Sequence, residues 1–361
     1  MKKIALSLLV LLATATCMFA QSDLQILTSV KYNKPENITV KMLKVRCGVY
    51  EKQMGKKLTV DERKMVLNAL IEEKLVLQAA AKAGLSIPDS TVDQYFAQNM
   101  SQSVGAVVSE AELNDMLKKQ QGITLDQALQ QQVGMNVAEY KLYLKNQLIV
   151  QQYILTQKQA DIQKQVATDE EIKAFYASNK AQFVWTDMMK VFLVIVPKGS
   201  DTNAAKMKAA DIKNKYTTKA MTEEQILAAS TQPNSGYQSG SMLVPVTAAA
   251  AESLGMQFKK LQSMFDQKAG YISDIEETAT DFRFMVSLEK YNAKMLAISD
   301  IYQPGTNVTV YDAIRSNLTA QKQMQYFQIA AQEVADSLNK PEYVEQKKTG
   351  DALDKLLSWG D

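Results

Sequence analysis

Histidine is absent from all 361 residues of the sequence. Its absence excludes Ser-His-Asp and Cys-His catalysis, because both need an imidazole to accept and return a proton. It also excludes metal sites built on imidazole ligands. No Walker loop, dinucleotide-binding glycine fingerprint or cysteine cluster is present either. We therefore expect no bound metal and no small-molecule cofactor.

Cysteine occurs only twice, as Cys17 and Cys47. Cys17 lies in residues 1–20, which have the form of a secretory signal peptide: two lysines precede an apolar run that is too short to span a bilayer. Cleavage after Ala20 would leave Cys47 as the only thiol, so no disulfide could form within the chain. Lipid attachment at Cys17 is the alternative, although the residues before it fit that processing poorly. Either route predicts an exported protein.

A large excess of charge of either sign is also missing. The formal net charge is +2, and loss of the two lysines in residues 1–20 would bring it to 0. No basic field remains that would attract nucleic acid. Adjacent carboxylates occur at Glu72-Glu73 and at Glu276-Glu277, but neighbouring side chains point apart on a helix or strand. Neither pair is therefore expected to act as a catalytic dyad.

The chain is organised around a helical stretch, residues 58–96. It opens with Thr59 and Glu62, a capping box in which each side chain satisfies the other's free backbone N–H. Apolar residues then cover a wide arc, which indicates burial from more than one side. Gly84 predicts the end of this helix and Pro88 the start of the next. Capping boxes predict three further helix starts, at Ser109, Thr124 and Thr168.

Within this stretch, the order L-I-x-x-K-L-x-L-Q-x-A-x-x-x-G-L-x-I-x-D resembles the N-terminal chaperone domain of the SurA and PpiC-type foldases of bacterial envelopes. The segments GITLDQAL and EYKLYLKNQLIVQQYI resemble the same domain, so the resemblance covers residues 58–183. It implies a mostly helical chaperone domain over residues 21–185 that binds unfolded or extended polypeptides. We place its candidate client-binding residues at Met54, Tyr95 and Phe96.

The pattern changes at a continuous apolar run, Val191 to Val196, which predicts a buried strand. Two helical stretches follow, and then a glycine-containing loop at residues 233–240, a helix that stops at Gly270 and two more strands, at residues 272–276 and 282–288. This order, with the segment G-Y-I-S-D-I and then T-A-T-D-F-R-F, resembles a parvulin domain of the PpiC type. The resemblance implies a small antiparallel sheet flanked by helices over residues 186–291.

Parvulins carry two histidines near the carbonyl of the proline peptide bond, and this chain has neither. The resemblance places Phe192 at the first histidine position and Arg283 at the second. Phe192 has no polar atom, and a guanidinium does not release a proton near neutral pH. The candidate proline pocket consists of Met256, Phe258, Lys260 and Phe265. Because Lys260 would bring a charge to an apolar pocket, we do not expect efficient rotamase activity.

Residues 292–361 predict a long helix from Val308 to Asn339 with an apolar stripe, a break at Pro341 and a short amphipathic end. In SurA-like proteins this segment returns to the N-terminal domain, and we expect the same here; the alternative is an autonomous helical tail. The predicted fold class is α+β: a mostly helical N-terminal chaperone domain completed by the C-terminal helix, with an inserted parvulin-like domain.

We interpret the chain as an exported periplasmic chaperone, a holdase or foldase for unfolded polypeptides, and expect outer-membrane protein precursors among its clients. The alternative is an active parvulin-type peptidyl-prolyl cis-trans isomerase with an altered site, in which Arg283 and either Ser241 or Thr278 would polarise the carbonyl. A third interpretation is a surface lipoprotein that kept the fold for another role. A proline-peptide isomerisation assay separates the first two, and mass spectrometry of the N-terminus addresses the third.

Overall fold

The structure is a computed structural model that describes residues 23–360. The predicted signal peptide, residues 1–20, and Cys17 lie outside the described residues. Contacts divide the chain into two compact units. The helical unit comprises the described residues up to Gln165 and those from Gln321 onward, and the sheet unit runs from Val166 to Ala320. Within residues 23–360, no helix combines the length and apolar composition needed to cross a bilayer.

Helices dominate the first part of the helical unit. Its elements are β1 (Ile26–Val30), β2 (Glu36–Thr39), α1 (Val40–Met54), α2 (Val60–Lys82), α3 (Asp89–Val104), α4 (Glu110–Gln121), α5 (Leu125–Val133) and α6 (Val137–Gln163). The sheet unit follows with α7 (Asp169–Ser178), β3 (Val184–Trp185), β4 (Met188–Pro197), α8 (Thr202–Thr217), α9 (Glu223–Ser230), β5 (Gln238–Pro245), α10 (Ala248–Ser253), α11 (Phe258–Asp266), β6 (Glu276–Glu277), β7 (Asp281–Tyr291) and β8 (Lys294–Met295). Helix α12 (Val310–Leu338) begins in the sheet unit and ends in the helical unit, where β9 (Val344–Gln346) and α13 (Gly350–Leu357) complete the chain's described elements.

Side-chain caps fix the starts of many of these helices. The four predicted capping boxes are all present: Thr59–Glu62, Ser109–Glu112, Thr124–Gln127 and Thr168–Glu171. Two more are present at Asn136–Glu139 and Thr222–Gln225. Each box satisfies backbone N–H groups that have no partner inside the helix, which is why local sequence predicted these starts well.

The C-terminal segment completes the core of the helical unit. Strand β9 pairs antiparallel with β1, which also pairs with β2. Val334 of α12 and Leu357 of α13 are buried in the same cluster as Leu75 of α2. Arg63 of α2 is buried as well; it donates to the carbonyl oxygen of Leu357 and lies 4.5 Å from the centre of the Trp359 ring. The part of the segment from Gln321 onward thus packs with the helical unit.

A second core in the helical unit lies among α3 to α6. Its buried residues are Val92, Phe96, Leu113, Leu125, Leu129 and Leu144. Helix α6 serves both cores, because Leu144 belongs to this cluster and Ile154 to the first. A helix that is apolar on more than one side must be covered from more than one side.

The sheet unit is built on a four-stranded antiparallel sheet in the order β5-β4-β7-β6. Strand β4 is paired on both sides, so that Leu193 lies opposite Gly240 of β5 and Met285 of β7. One face, which includes Phe192, packs against α8 and α9. The other face, which includes Val191, packs against α10 and α11. The predicted α+β fold class is confirmed.

Two segments of the sheet unit differ from the prediction. The sequence predicts a loop over residues 233–240, whereas β5 begins at Gln238 and pairs with β4 as far as Pro245. This strand forms although glycine and serine have low strand propensity, because the backbone of β4 offers a complete set of partners. The predicted strand over residues 272–276 is reduced to an isolated bridge, Ile272 to Val286, and the two-residue β6.

The compact units also divide the chain at other positions than the predicted domains do. Residues 166–185 and 292–320 lie with the sheet unit. They share a small core that includes Ile172, Phe183 and Leu296, and β3 pairs with β8. The sheet unit is therefore longer at both ends than the predicted parvulin-like domain, and the limits of the functional domains stay a prediction.

Candidate functional site

A groove of about 450 Å³ runs across the helical unit between α1 and α6. Helix α1 lines it with Met42, Val45 and Arg46, and α6 lines it with Leu142 and Tyr143. Residues three and four apart share one side of a helix, so each helix presents one stripe to the groove. The end of α5 and one residue of α2 complete the lining.

The groove leaves apolar side chains uncovered. Val45 is 40% exposed and Leu142 is 58% exposed. The core covers another side of α1, through Val40, Leu43 and Cys47. The groove residues therefore form a second apolar stripe, which residues 23–360 leave uncovered. A partner that covers this stripe stabilises the complex by about 25 cal/mol of free energy for each Å² of apolar surface removed from water.

An ion pair holds the wall of the groove. Arg46 donates two hydrogen bonds to the Glu73 carboxylate, at 2.8 and 3.2 Å, and its guanidinium lies 5.2 Å from the centre of the Tyr143 ring. Burial alone would lower the pKa of Arg46, but the hydrogen bonds and charge of Glu73 outweigh it and raise that pKa. Burial raises the pKa of Tyr143, so its hydroxyl stays neutral. Arg46 of α1 thus connects this helix to α2 through Glu73 and to α6 through Tyr143.

A lysine connects α1 to the end of α5. Lys52 of α1 donates to the carbonyl oxygens of Gln130 and Gln131, at 3.3 and 2.7 Å. These carbonyls lie in the last turn of α5, where the helix dipole favours a cation. Gly134 follows with a φ of 73°, a conformation that permits the sharp turn into α6.

The predicted client-binding residues lie outside this groove. Met54, at the end of α1, is 50% exposed and Tyr95 of α3 is 38% exposed, but neither lines the groove. Phe96 is 1% exposed, and its ring packs edge-on against Tyr140 within the second core. Phe96 therefore offers no surface to a client in this structure, and the roles of Met54 and Tyr95 stay predictions.

Sequence reasoning missed the groove, although a signal for it exists. Tyr140, Leu144 and Leu148 form the stripe of α6 that packs on the second core. Leu142 falls outside that stripe, and Tyr143 contacts both the second core and the groove. An apolar residue on a second side of a helix indicates a second surface to be covered. The sequence cannot say which helix lies opposite that surface, because this depends on the packing of α1.

The sheet unit has a cleft on the face that includes Arg283. A shallow cavity of about 220 Å³ is lined there by Leu193, Ile195 and residues 238–242. Arg283 lies opposite Ile195 across the β4–β7 pair. It donates from Nε and Nη2 to the Asp281 carboxylate, both at 2.6 Å, and from Nη1 to the Leu254 carbonyl oxygen at 2.8 Å. These hydrogen bonds lower the pKa of Asp281 and raise that of Arg283, so both groups are charged near neutral pH.

Phe192 does not lie on this face. Its side chain is fully buried against α8, where its ring stacks on Tyr216 with the centroids 6.1 Å apart. Adjacent residues of a strand point to opposite faces, so the β4 residues on the Arg283 face are Val191, Leu193 and Ile195. The structure therefore does not bring Phe192 and Arg283 together, and β4 presents only apolar side chains to the cleft.

The four predicted pocket residues lie in or beside α11, in three different settings. Met256 is 9% exposed and belongs to the core of this face, and Phe265 packs against the same core. Phe258 is 37% exposed. Lys260 forms an ion pair with Glu276 of β6 at 2.6 Å. The structure thus ties Lys260 to the sheet, and the use of these residues as a proline pocket stays a prediction.

Several known proteins are similar to this chain, although no protein-family profile matches it. The chain is 30% identical over 147 residues to the periplasmic chaperone PpiD of Escherichia coli K12, an alignment that covers 36% of this chain and 23% of PpiD. PpiD of Escherichia coli O6:H1 gives the same values. The chain thus spans less than a quarter of the length of these curated relatives.

Solved structures of low sequence identity also align with most of the chain. One is from the work on PEB4 and Cj1289, two SurA-like chaperones of Campylobacter jejuni, with 15% identity, a TM-score of 0.31, and coverage of 90% of this chain and 99% of the other. Another is PrsA from Bacillus subtilis, with 16% identity, a TM-score of 0.28, and coverage of 92% and 98%. The match to PpiD by itself confirms the predicted resemblance to chaperones of bacterial envelopes.

Proposed function

We propose that this chain is a periplasmic chaperone that holds unfolded polypeptides by covering their apolar segments in the groove between α1 and α6. The observation that carries the proposal is the pair of facing apolar stripes, which the helical unit holds in place and leaves uncovered. Such a surface binds a client by burying apolar area, without a chemical reaction. Because this burial is not directional, clients of many sequences can bind. The similarity to PpiD supports the class of protein and its compartment.

Export and clients belong to the same proposal. A signal peptide at residues 1–20, cleaved after Ala20, would deliver the chain to the periplasm, and lipid attachment at Cys17 is the alternative route. We propose that the clients include precursors of outer-membrane proteins, because these cross the periplasm unfolded and carry apolar segments.

Efficient prolyl isomerisation is not part of the proposal. Rotation about a peptide bond has a barrier of about 18–20 kcal/mol, and an isomerase must act on the carbonyl of the twisting bond. The altered-site alternative gives this role to Arg283, but three of its five N–H groups already donate hydrogen bonds to Asp281 or Leu254. A protease-coupled proline-peptide assay should give no rate above background. A robust rate that falls in Arg283→Ala would favour the altered-site isomerase instead.

The double variant Val45→Ser with Leu142→Ser tests the groove. We expect it to need about tenfold more protein to suppress aggregation of a chemically denatured client, because two exposed apolar side chains are removed from the contact surface. The readout is light scattering during dilution of the client from denaturant. Matched controls are Met207→Ser in the sheet unit and Met324→Ser on α12, which are 73% and 70% exposed and lie outside the groove. Equal loss in the controls, or no loss in the double variant, would contradict the proposal.

A further inference from the structure

Asn146 of α6 lies in the groove with its side-chain amide unused. It is half-buried and follows Leu142 and Tyr143 along the same stripe of the helix. Neither its Oδ1 nor its Nδ2 has a hydrogen-bond partner within residues 23–360, and the hydroxyl of Tyr143 has none there either. Two other side-chain amides of the same unit are engaged: Gln78 bonds to Asn33 and Val30, and Asn114 accepts from the Leu125 N–H.

The charged residues that line the groove balance one another, so the amide of Asn146 is the polar group that distinguishes it. Arg46 is neutralised by Glu73, and the remaining lining charges, Lys41 and Glu139, are of opposite sign and both exposed. A groove without net charge gives no advantage to an acidic or a basic occupant. It suits a neutral occupant that needs hydrogen bonds as well as apolar cover.

We infer that Asn146 binds the main chain of the client: its Nδ2 donates to a peptide carbonyl oxygen while its Oδ1 accepts a peptide N–H, and the hydroxyl of Tyr143 supports one of these bonds. This inference rests on the proposed function and names the chemistry of its substrate, an extended neutral peptide. A side-chain amide carries one acceptor and two donors, which match the acceptor and donor of a peptide group. Because every residue except proline carries both groups, such a contact fixes the client without reading its sequence.

The two explanations of Asn146 predict opposite signs for one substitution. If Asn146 is only a hydrated polar residue, Asn146→Leu adds apolar surface to the groove and strengthens binding. If it binds the main chain, Asn146→Leu leaves peptide groups unpaired in a half-buried site and weakens binding about tenfold. The measurement is the Kd of a fluorescent synthetic peptide in which leucine alternates with serine, determined by anisotropy on the full chain. Gln151→Leu, an exposed amide on α6 outside the groove, is the matched control and should leave the Kd unchanged.

A second arm identifies the main chain as the contact. Esters that replace single amides along the peptide remove one N–H each without changing the side chains. At one position the ester should weaken binding to the wild-type protein several-fold and have little effect on Asn146→Leu. Equal losses in both proteins at every position, or tighter binding by Asn146→Leu, would overturn the inference. The Leu142→Ser protein separates this failure from a failure of the proposed function. If it binds the leucine–serine peptide without esters at the same Kd as the wild-type protein, the groove is not the binding site, and the proposed function fails as well.

Discussion

The groove of the helical unit and the cleft of the sheet unit differ in how far their polar groups are paired. On the side of the sheet that carries the cleft, Arg283 is bonded to Asp281, and Lys260 of α11 is bonded to Glu276. In the groove, Arg46 is paired, but the amide of Asn146 is left without a partner among the described residues and the apolar stripes stay exposed. Charged groups that are already paired have less to offer a ligand, whereas unpaired groups beside apolar surface can bind one. The difference teaches that the helical unit, not the unit with the enzyme-like order of elements, carries the better binding surface.

The largest effect should come from placing a histidine at the position that sequence comparison indicates. Phe192→His should lower the free energy of unfolding by about 3 kcal/mol, because a fully buried aromatic ring is replaced by a smaller polar one. It should add no isomerase activity, since this side chain points away from the Arg283 face. Thermal unfolding and the proline-peptide assay are the measurements.

Leu193→His is the matched variant, because Leu193 is only half-buried and lies on the cleft face. We expect it to be tolerated better than Phe192→His. An isomerase rate gained by Phe192→His but not by Leu193→His would show that the assignment of the two faces is wrong.

A smaller effect is expected when the wall of the groove loses its ion pair. Glu73→Gln leaves the guanidinium of Arg46 largely buried without a counter-charge, since the two side chains are 15% and 13% exposed. We expect a loss of about 2 kcal/mol in stability, between the values for exposed and buried pairs, and a several-fold weaker Kd for the leucine–serine peptide. Lys145→Ala, which breaks an exposed pair with Asp89, should change neither by much. Lower stability with an unchanged Kd would mean that Arg46 supports the fold but not the groove.

The smallest expected effect concerns pH, which should act on the two units in opposite directions. Burial raises the pKa of Glu72 on α2, despite a hydrogen bond from Gln332 and with Asp336 adding to the shift. The folded state therefore disfavours ionised Glu72, and the stability of the helical unit gains as pH falls through this raised pKa. Asp281 behaves in the opposite sense: its lowered pKa gives stability above the unfolded value near pH 4, and this stability is lost as pH falls further.

Glu72→Gln removes the penalty without changing the shape of the side chain. We expect it to stabilise the protein at neutral pH by less than about 1 kcal/mol and to have no benefit at pH 4, with Glu252→Gln on α10 as an exposed control. Thermal midpoints at the two pH values test this. A benefit that is equal at both would show that ionisation of Glu72 is not the cause.

Features that depend on residues close together in the sequence could be predicted, whereas features that depend on distant packing could not. Capping boxes, such as Thr59 with Glu62, act within one turn, and all those predicted are present. The return of the C-terminal segment was also predictable, since the apolar stripe of α12 needs cover and the resemblance named the place. The face of Phe192 was not, because a one-residue shift in a strand exchanges the faces. The pairing of β4 with β7 has such a shift between Lys190 and Val191, where Leu288 is the extra residue of β7. Asn146 could not be singled out, since nothing in the sequence shows that an amide lacks a partner.

The contact between Arg63 and Leu357 has a consequence for the order of folding. Its two residues are 294 positions apart in the sequence. Strand β1 likewise pairs with β9, which lies near the other end of the chain. The sheet unit forms its internal contacts within residues 166–320. Closing a long loop costs entropy, which only the contacts of the completed core offset. If the chain crosses a membrane from its amino terminus, as proposed, the sheet unit can therefore fold before the core of the helical unit, which is complete only after residue 357 has emerged. The groove proposed to hold clients would then rest on an incomplete core during translocation.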